Sequence, residues 1–215
     1  MVRVILCRSL IVRESETTTN NYKTILQLPK KDKKMKIIKP PSSINMDDPD
    51  MDELLFVFLG GSIEMGSATL WQDEVCEKLS DIERLIILNP RRDSWDSSWM
   101  QDPTPGTPFH EQVSWELNGQ DSADIIVYYF DGNTKSPITL LELGLYANHD
   151  IQKIVYCPTD FWRYGNVKIV CDTYGIDIYE DREQFFDSLR SAIVSMKPSP
   201  SRLYARRQNW LRASN

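Results

Sequence analysis

The 215-residue chain has two histidines, four cysteines and nine glycines, and each scarcity excludes something. His110 and His149 are too few for a histidine-rich metal site, and no carboxylate cluster points to a metal either. No metal or other cofactor is expected. Cys7, Cys76, Cys157 and Cys171 form no CxxC pair, which argues against a zinc or redox motif and suggests reduced thiols in a cytoplasmic protein. No apolar run reaches the length of a membrane-spanning helix, so no membrane partner is expected. Arginines interrupt the apolar residues 1–13, so they do not read as a secretory signal, and the early Glu14 and Glu16 weigh against a mitochondrial presequence. The glycines form no GxGxxG. The spacing from Gly61 to Gly66-Ser67 is that of a phosphate loop without its lysine, which excludes the ATPase reading.

Charge is unevenly spread. The first fifty residues carry a net +4 and the remaining 165 a net −10. An acidic body lacks the basic surface that nucleic acid requires, so nucleic acid is not an expected partner. The composition divides the chain into a mobile N-terminal arm (residues 1–50), a folded domain (51–196) and a basic C-terminal tail (197–215) that can form a short helix through Leu203, Trp210 and Leu211.

Within the domain, apolar runs alternate with helical periodicity. Strands are expected at 54–59, 84–88, 124–130, 153–157 and 176–179. Helices are expected after Ser67, with Trp71, Val75 and Leu79 on one face, and at 109–117, with Phe109, Val113 and Leu117 on one stripe. Further helices fall at 138–147, 165–174 and 182–196. This alternation predicts an α/β fold, a flavodoxin-like three-layer sandwich of about five parallel strands in the order 2-1-3-4-5. The long connection 89–108, with Trp95 and Trp99, is a candidate cover for a site.

The helix after the third strand organises the rest. Ser136 and Pro137 look like an N-cap and first helical position. Ile138, Leu140, Leu141, Leu143, Leu145 and Ala147 make the helix apolar nearly all round, the pattern of a buried helix. Glu142 is the only charged residue among them and a candidate catalytic carboxylate. The plainer reading is a solvated stripe of Thr139, Glu142, Tyr146 and His149. Other candidates lie at strand ends. Gly60, Gly61 and Ser62 make a turn whose N–H groups can meet an anion or hydroxyl, or simply a tight turn. Asn89, Arg91, Arg92 and Trp95 offer phosphate contacts and a stacking surface, or a surface loop with a buried anchor. Asp131 stands at a strand's C-terminal end, where such sheets bind ligands. Asp124 precedes the same strand, at the opposite edge.

Phe58-Leu-Gly-Gly-Ser-Ile63, Asn89-Pro-Arg-Arg92, Phe109-His-Glu-Gln-Val-Ser-Trp115, Ala123-Asp124, Ser136-Pro-Ile-Thr-Leu-Leu-Glu-Leu-Gly144 and Phe161-Trp-Arg-Tyr-Gly-Asn166 occur in that order. Over about residues 54–196 this set resembles the nucleoside 2-deoxyribosyltransferase-like family, in its divergent branch. The resemblance implies nucleosides bound at the strand ends of a homodimer or larger assembly, with Glu142 as nucleophile in a Thr139-x-x-Glu142-x-Gly144 setting. It also implies Gln112, Ser136 and Thr139 at the substrate, and Asn166 as a residue that a neighbouring subunit contributes. Characterised members carry an aspartate where this chain has Ser136, so Asp131 or Asp124 is the expected proton donor. Phe58 stands where the family has a tyrosine-type residue. The activity implied is cleavage or exchange of the N-glycosidic bond of a nucleoside or deoxynucleoside. The alternatives are an N-glycoside hydrolase of nucleoside 5′-monophosphates and a catalytically silent nucleotide-binding module.

Overall fold

A computed structural model describes residues 34–45, 47, 48, 50–63, 68–92, 100–199, 202–204 and 206. All of them lie in the compact unit formed by residues 33–215. The expected positions Cys7, Ser67, Trp95, Trp99, Trp210 and Leu211 lie outside the described residues.

Among the described residues six parallel strands form one sheet: β1 (Lys36–Ile38), β2 (Leu55–Gly61), β3 (Leu85–Leu88), β4 (Ile125–Tyr129), β5 (Gln152–Tyr156) and β6 (Asp177–Tyr179). Their spatial order is β1-β3-β2-β4-β5-β6. The five strands expected from sequence thus lie in the order expected. The strand count and the full order change because Lys36–Ile38 adds an edge strand beside β3, registered Lys36 to Ile86 and Ile38 to Leu88. Three residues, two of them exposed, carry too little apolar signal to announce a strand.

Among the described residues the sheet is covered by α1 (Trp71–Lys78), α2 (Pro108–Ser122), α3 (Pro137–Tyr146), α4 (Tyr164–Tyr174) and α5 (Arg182–Ser195). The inner strands are buried on both faces, and their side chains alternate between two cores. Phe56, Phe58, Ile126, Tyr128 and Phe130 pack with Trp115 of α2, Leu143 and Tyr146 of α3, and Val167 and Cys171 of α4. Val57, Leu59, Ile125, Val127 and Tyr129 pack with Trp71 and Val75 of α1 and Phe185 and Leu189 of α5. The sheet therefore separates an α2–α3–α4 layer from an α1–α5 layer.

Two helices present faces other than those the periodicity suggested. In α2 the residues turned inward are Gln112, Trp115, Gly119, Gln120 and Ser122, while Val113 and Leu117 are 37% and 39% exposed. In α3 the polar stripe faces inward: Thr139, Glu142 and Tyr146 are buried, whereas Ile138, Leu141 and Leu145 are exposed. Of the stripe only His149, beyond the helix, is exposed, and the apolar residues do not all enter the core.

Two close approaches set the spacing. A Cβ on Gly61 would lie 2.6 Å from the Trp71 ring and 2.6 Å from Tyr129 O, so only glycine lets that indole donate to Ser62 O, at 3.0 Å. A Cβ on Gly119 would lie 2.8 Å from the Phe58 ring, so glycine lets that β2 ring pack directly against the α2 backbone.

Candidate active site

The chain leaves β2 toward β3 through α1 and returns across β2 to β4 through α2. The carboxyl ends of β2, β3 and β4 therefore frame the crevice at which such sheets bind ligands. Gly60-Gly61-Ser62, Asn89 and Asp131 all stand at this edge.

Between β2 and α3, three buried hydroxyls form a closed set. Ser62 Oγ meets Ser136 Oγ at 2.5 Å and Thr134 Oγ1 at 2.9 Å, and Thr134 and Ser136 meet at 2.7 Å. The Asp131 N–H donates to Ser62 Oγ, at 2.9 Å. Ser136 occupies the N-cap position of α3, but its side chain makes no capping bond. Its backbone is left-handed, with φ 47°, which turns the hydroxyl toward Ser62. Asp131 is already engaged: Oδ1 accepts from Asn133 N at 3.0 Å and Oδ2 from Thr69 N at 3.2 Å. Burial pushes this carboxyl up, but those hydrogen bonds hold it below its ordinary value overall. Asp131 is therefore ionised at neutral pH and has no proton to give.

Glu142 lies in the α2–α3 layer. Gln120 Nε2 donates to Glu142 Oε1 at 2.8 Å, and Tyr128 OH, from β4, donates to Gln120 Oε1 at 2.8 Å. The tyrosine thus orients the amide, and the amide orients the carboxylate. One helical turn before Gln120 stands Glu116, and one turn before that Gln112. Gln112 Nε2 donates to Glu116 Oε1 at 2.7 Å and to Pro90 O at 2.9 Å. Arg92 Nε donates to Gln112 Oε1 at 2.5 Å. Residues 112, 116 and 120 share one face of α2 because they are spaced i, i+4, i+8.

The electrostatics follow from burial. Desolvation, and then the neighbouring Glu116, push the Glu142 carboxyl up to about 8, against the pull of Gln120. Desolvation pushes Glu116 up to about 7, against Gln112 and Arg92. Burial and the nearby Glu142 also raise the Tyr128 phenol, which stays protonated and serves as a donor. Two carboxyls that each resist ionisation, one beside the other, are suited to hold one proton and one charge at neutral pH. Of the two, Glu142 is the tighter holder of that proton.

The remaining candidates fall in separate places. Arg92 and Gln112 join the glutamates. Thr139 is buried one turn before Glu142. Asn89 and Arg91 form their own group: Asn89 Oδ1 accepts from Arg91 N at 3.0 Å, and Arg91 Nη1 reaches Gln72 Oε1 of α1 at 3.3 Å and Thr69 O at 3.4 Å. Asp124 lies at the amino end of β4, away from this edge. Its Oδ2 accepts from Phe56 N at 2.8 Å and pairs with Arg206. Arg206, 1% exposed, also donates to Ser122 O at 2.7 Å and lies 4.2 Å over the Phe56 ring. Asn166 is on α4, exposed, in a groove of about 300 Å³ shared with Leu140, Leu143, Gly144, Arg163, Val167 and Val170.

Sequence reasoning missed Glu116, Gln120, Tyr128, Gln72 and Arg206. The Gln112-Glu116-Gln120 spacing was a usable signal, since three polar residues on one face of a helix are either solvated or at a site. Among the described residues no group of three or more His, Cys, Asp or Glu could hold a metal ion, and no helix is long and apolar enough to cross a membrane. Cys76, Cys157 and Cys171 are buried free thiols, raised by burial to about 11, 12 and 12.

Comparison with protein-family models gives a match. The family model described as nucleoside 2-deoxyribosyltransferase like covers residues 55–161, from β2 to the residues before α4, and takes in Glu116 and Glu142 but not Asn166. No curated protein matches the chain.

Proposed function

Through residues 55–161 the chain belongs to the nucleoside 2-deoxyribosyltransferase-like family, and on that premise we propose that it breaks the N-glycosidic bond of a nucleoside or deoxynucleoside with Glu142 as nucleophile. The observation that carries the reading is the Gln120–Glu142 contact beside Glu116 in a desolvated layer. Breaking the bond builds positive charge at C1′. The Glu142 carboxylate, aimed by Gln120 and Tyr128, stabilises that charge and traps the sugar as a glycosyl ester. The leaving base departs with the C1′–N electron pair and takes a proton. Glu116 supplies it, and Gln112 and Arg92 hold Glu116 in place. In the free protein Glu142 holds the pair's proton more tightly than Glu116, so the reading requires the positive charge developing at C1′ to favour the Glu142 carboxylate and pass that proton to Glu116; Asp131 is held ionised. A second base attacking C1′ then displaces Glu142, giving exchange with retention. Water in place of the base gives hydrolysis, so exclusion of water decides the outcome.

The test is chromatography of bases released from a panel of nucleosides and deoxynucleosides, with and without a second base. Wild type is expected to form a new nucleoside. Glu116→Gln is expected to lose about 10²–10⁴-fold in rate, the usual worth of a general acid, and Glu142→Ala to lose more. Full activity in Glu142→Ala sinks the assignment. Ligand-induced stabilisation with no turnover selects a binding module instead. A hydrolase of 5′-monophosphates is the second reading, favoured by the Arg91 group.

The exposed Ile138, Leu141 and Leu145 of α3 and the adjoining α3–α4 groove support a homodimer or larger assembly through this face. Asn166 on the rim is then available to a neighbouring subunit.

A further inference from the structure

At the carboxyl end of β3, two buried amides have donors without acceptors. Gln72, on the first turn of α1, is 0% exposed, and Asn89, directly after β3, is 1% exposed. Among the described residues neither Gln72 Nε2 nor Asn89 Nδ2 has a hydrogen-bond partner. A buried donor with no acceptor is costly and rare in native proteins. The cost is not relieved by rotating the amides, because their oxygens are occupied: Asn89 Oδ1 takes the Arg91 N–H, and Gln72 Oε1 takes Arg91 Nη1.

Arg91 is the partly exposed member of the group. Its two side-chain contacts are 3.3 and 3.4 Å, long for N–H···O bonds and easily exchanged for stronger ones. The α1 N-terminus adds a positive dipole end, and no side chain caps it. Donors, a guanidinium and a helix N-terminus together describe a receptor for an acceptor-rich anion. The adjacent residue, Arg92, turns to Gln112, which holds Glu116, so the two groups are joined by consecutive residues.

We propose that Gln72, Asn89 and Arg91 form a subsite for the 5′-phosphate of the substrate, which makes the substrate class the nucleoside 5′-monophosphates. The assignment rests on the N-glycosidic reading above for its substrate. The phosphate takes the charge-assisted bonds of Arg91 and supplies acceptors to the two amide donors. The subsite therefore holds, without ligand, an unfavourable arrangement that ligand relieves.

The experiment measures, on the full-length protein, calorimetric dissociation constants for a 2′-deoxynucleoside and its 5′-monophosphate. The proteins are wild type, Gln72→Leu and Asn89→Asp, and turnover of both compounds and unfolding in urea are followed in parallel. The expected result is at least tenfold tighter binding of the monophosphate by wild type. That preference should fall at least tenfold in each variant. Gln72→Leu, which deletes an unpaired donor, should also unfold at higher urea than wild type. Equal binding of the two compounds by wild type, or a preference unchanged in both variants, overturns the subsite. Lack of turnover with the monophosphate preference intact sinks the N-glycosidic reading and leaves the subsite standing. Turnover with no preference does the reverse.

Discussion

A carboxyl that prefers its proton makes folding depend on pH, and Glu142 and Glu116 both do. Each has an unfolded value near 4.5 and is raised in the fold, to about 8 and about 7. Between those limits the folded chain holds protons that the unfolded chain has lost. The stability tied to the pair is therefore complete below about pH 4.5 and is lost as pH rises through 7 and 8. Glu142→Gln keeps the shape and cannot ionise. Its advantage over wild type in urea unfolding should grow by about 1.4 kcal/mol per pH unit between pH 5 and 8. Parallel curves for the two proteins would show that Glu142 titrates normally. Glu142 was legible in the sequence because it is the only charge on an apolar helix. Glu116 was not, since its significance depends on α2 packing against α3, a contact between residues in different helices.

Periodicity in α2 and α3 identified which residues share a face, but not which face turns inward. In α3 the apolar residues outnumber the polar ones, so the sequence reading sent them to the core. The sheet already supplies Phe58, Tyr128 and Phe130 on that side, and the helix gives it Leu143 and Tyr146 while Thr139 and Glu142 face the site. Ile138, Leu141 and Leu145 are left 59%, 67% and 51% exposed. If a second copy covers them, Leu141→Arg places a charge in that interface. Analytical ultracentrifugation should then show wild type as a dimer or larger species and Leu141→Arg as monomer. A wild type that stays monomeric at micromolar concentration, with full activity, would refute the assembly. The loop between β3 and α2 was flagged as a cover, and its residues 93–99 lie outside the described residues.

At the scale of the molecule, alternation of apolar runs and helical stretches was enough to order five strands. The sixth, Lys36–Ile38, pairs with β3 through backbone groups, and pairing of that kind is not written in side-chain pattern. The far end of the chain behaves similarly. Arg206 is a basic residue in a basic tail by sequence, yet it is buried between Asp124, Ser122 O and Phe56. Breaking such a pair leaves an uncompensated buried charge, so Asp124→Asn should cost about 3–5 kcal/mol in chemical unfolding. In a double-mutant cycle with Arg206→Met the two losses should be strongly non-additive. Additive losses would mean that the tail is not clamped there.

Gly119 has no side chain of its own, yet it precedes Gln120, the residue that holds Glu142. An alanine at 119 would force the Phe58 ring or α2 to give way, because its Cβ would stand 2.8 Å from that ring. Gln120, the next residue, would move with the helix, loosening its hold on Glu142 and admitting water. A solvated carboxylate titrates nearer its ordinary value. A single methyl group, placed against the sheet, would thereby retune the acidity of Glu142, so the proton affinity of this carboxyl is in part a matter of mechanical clearance.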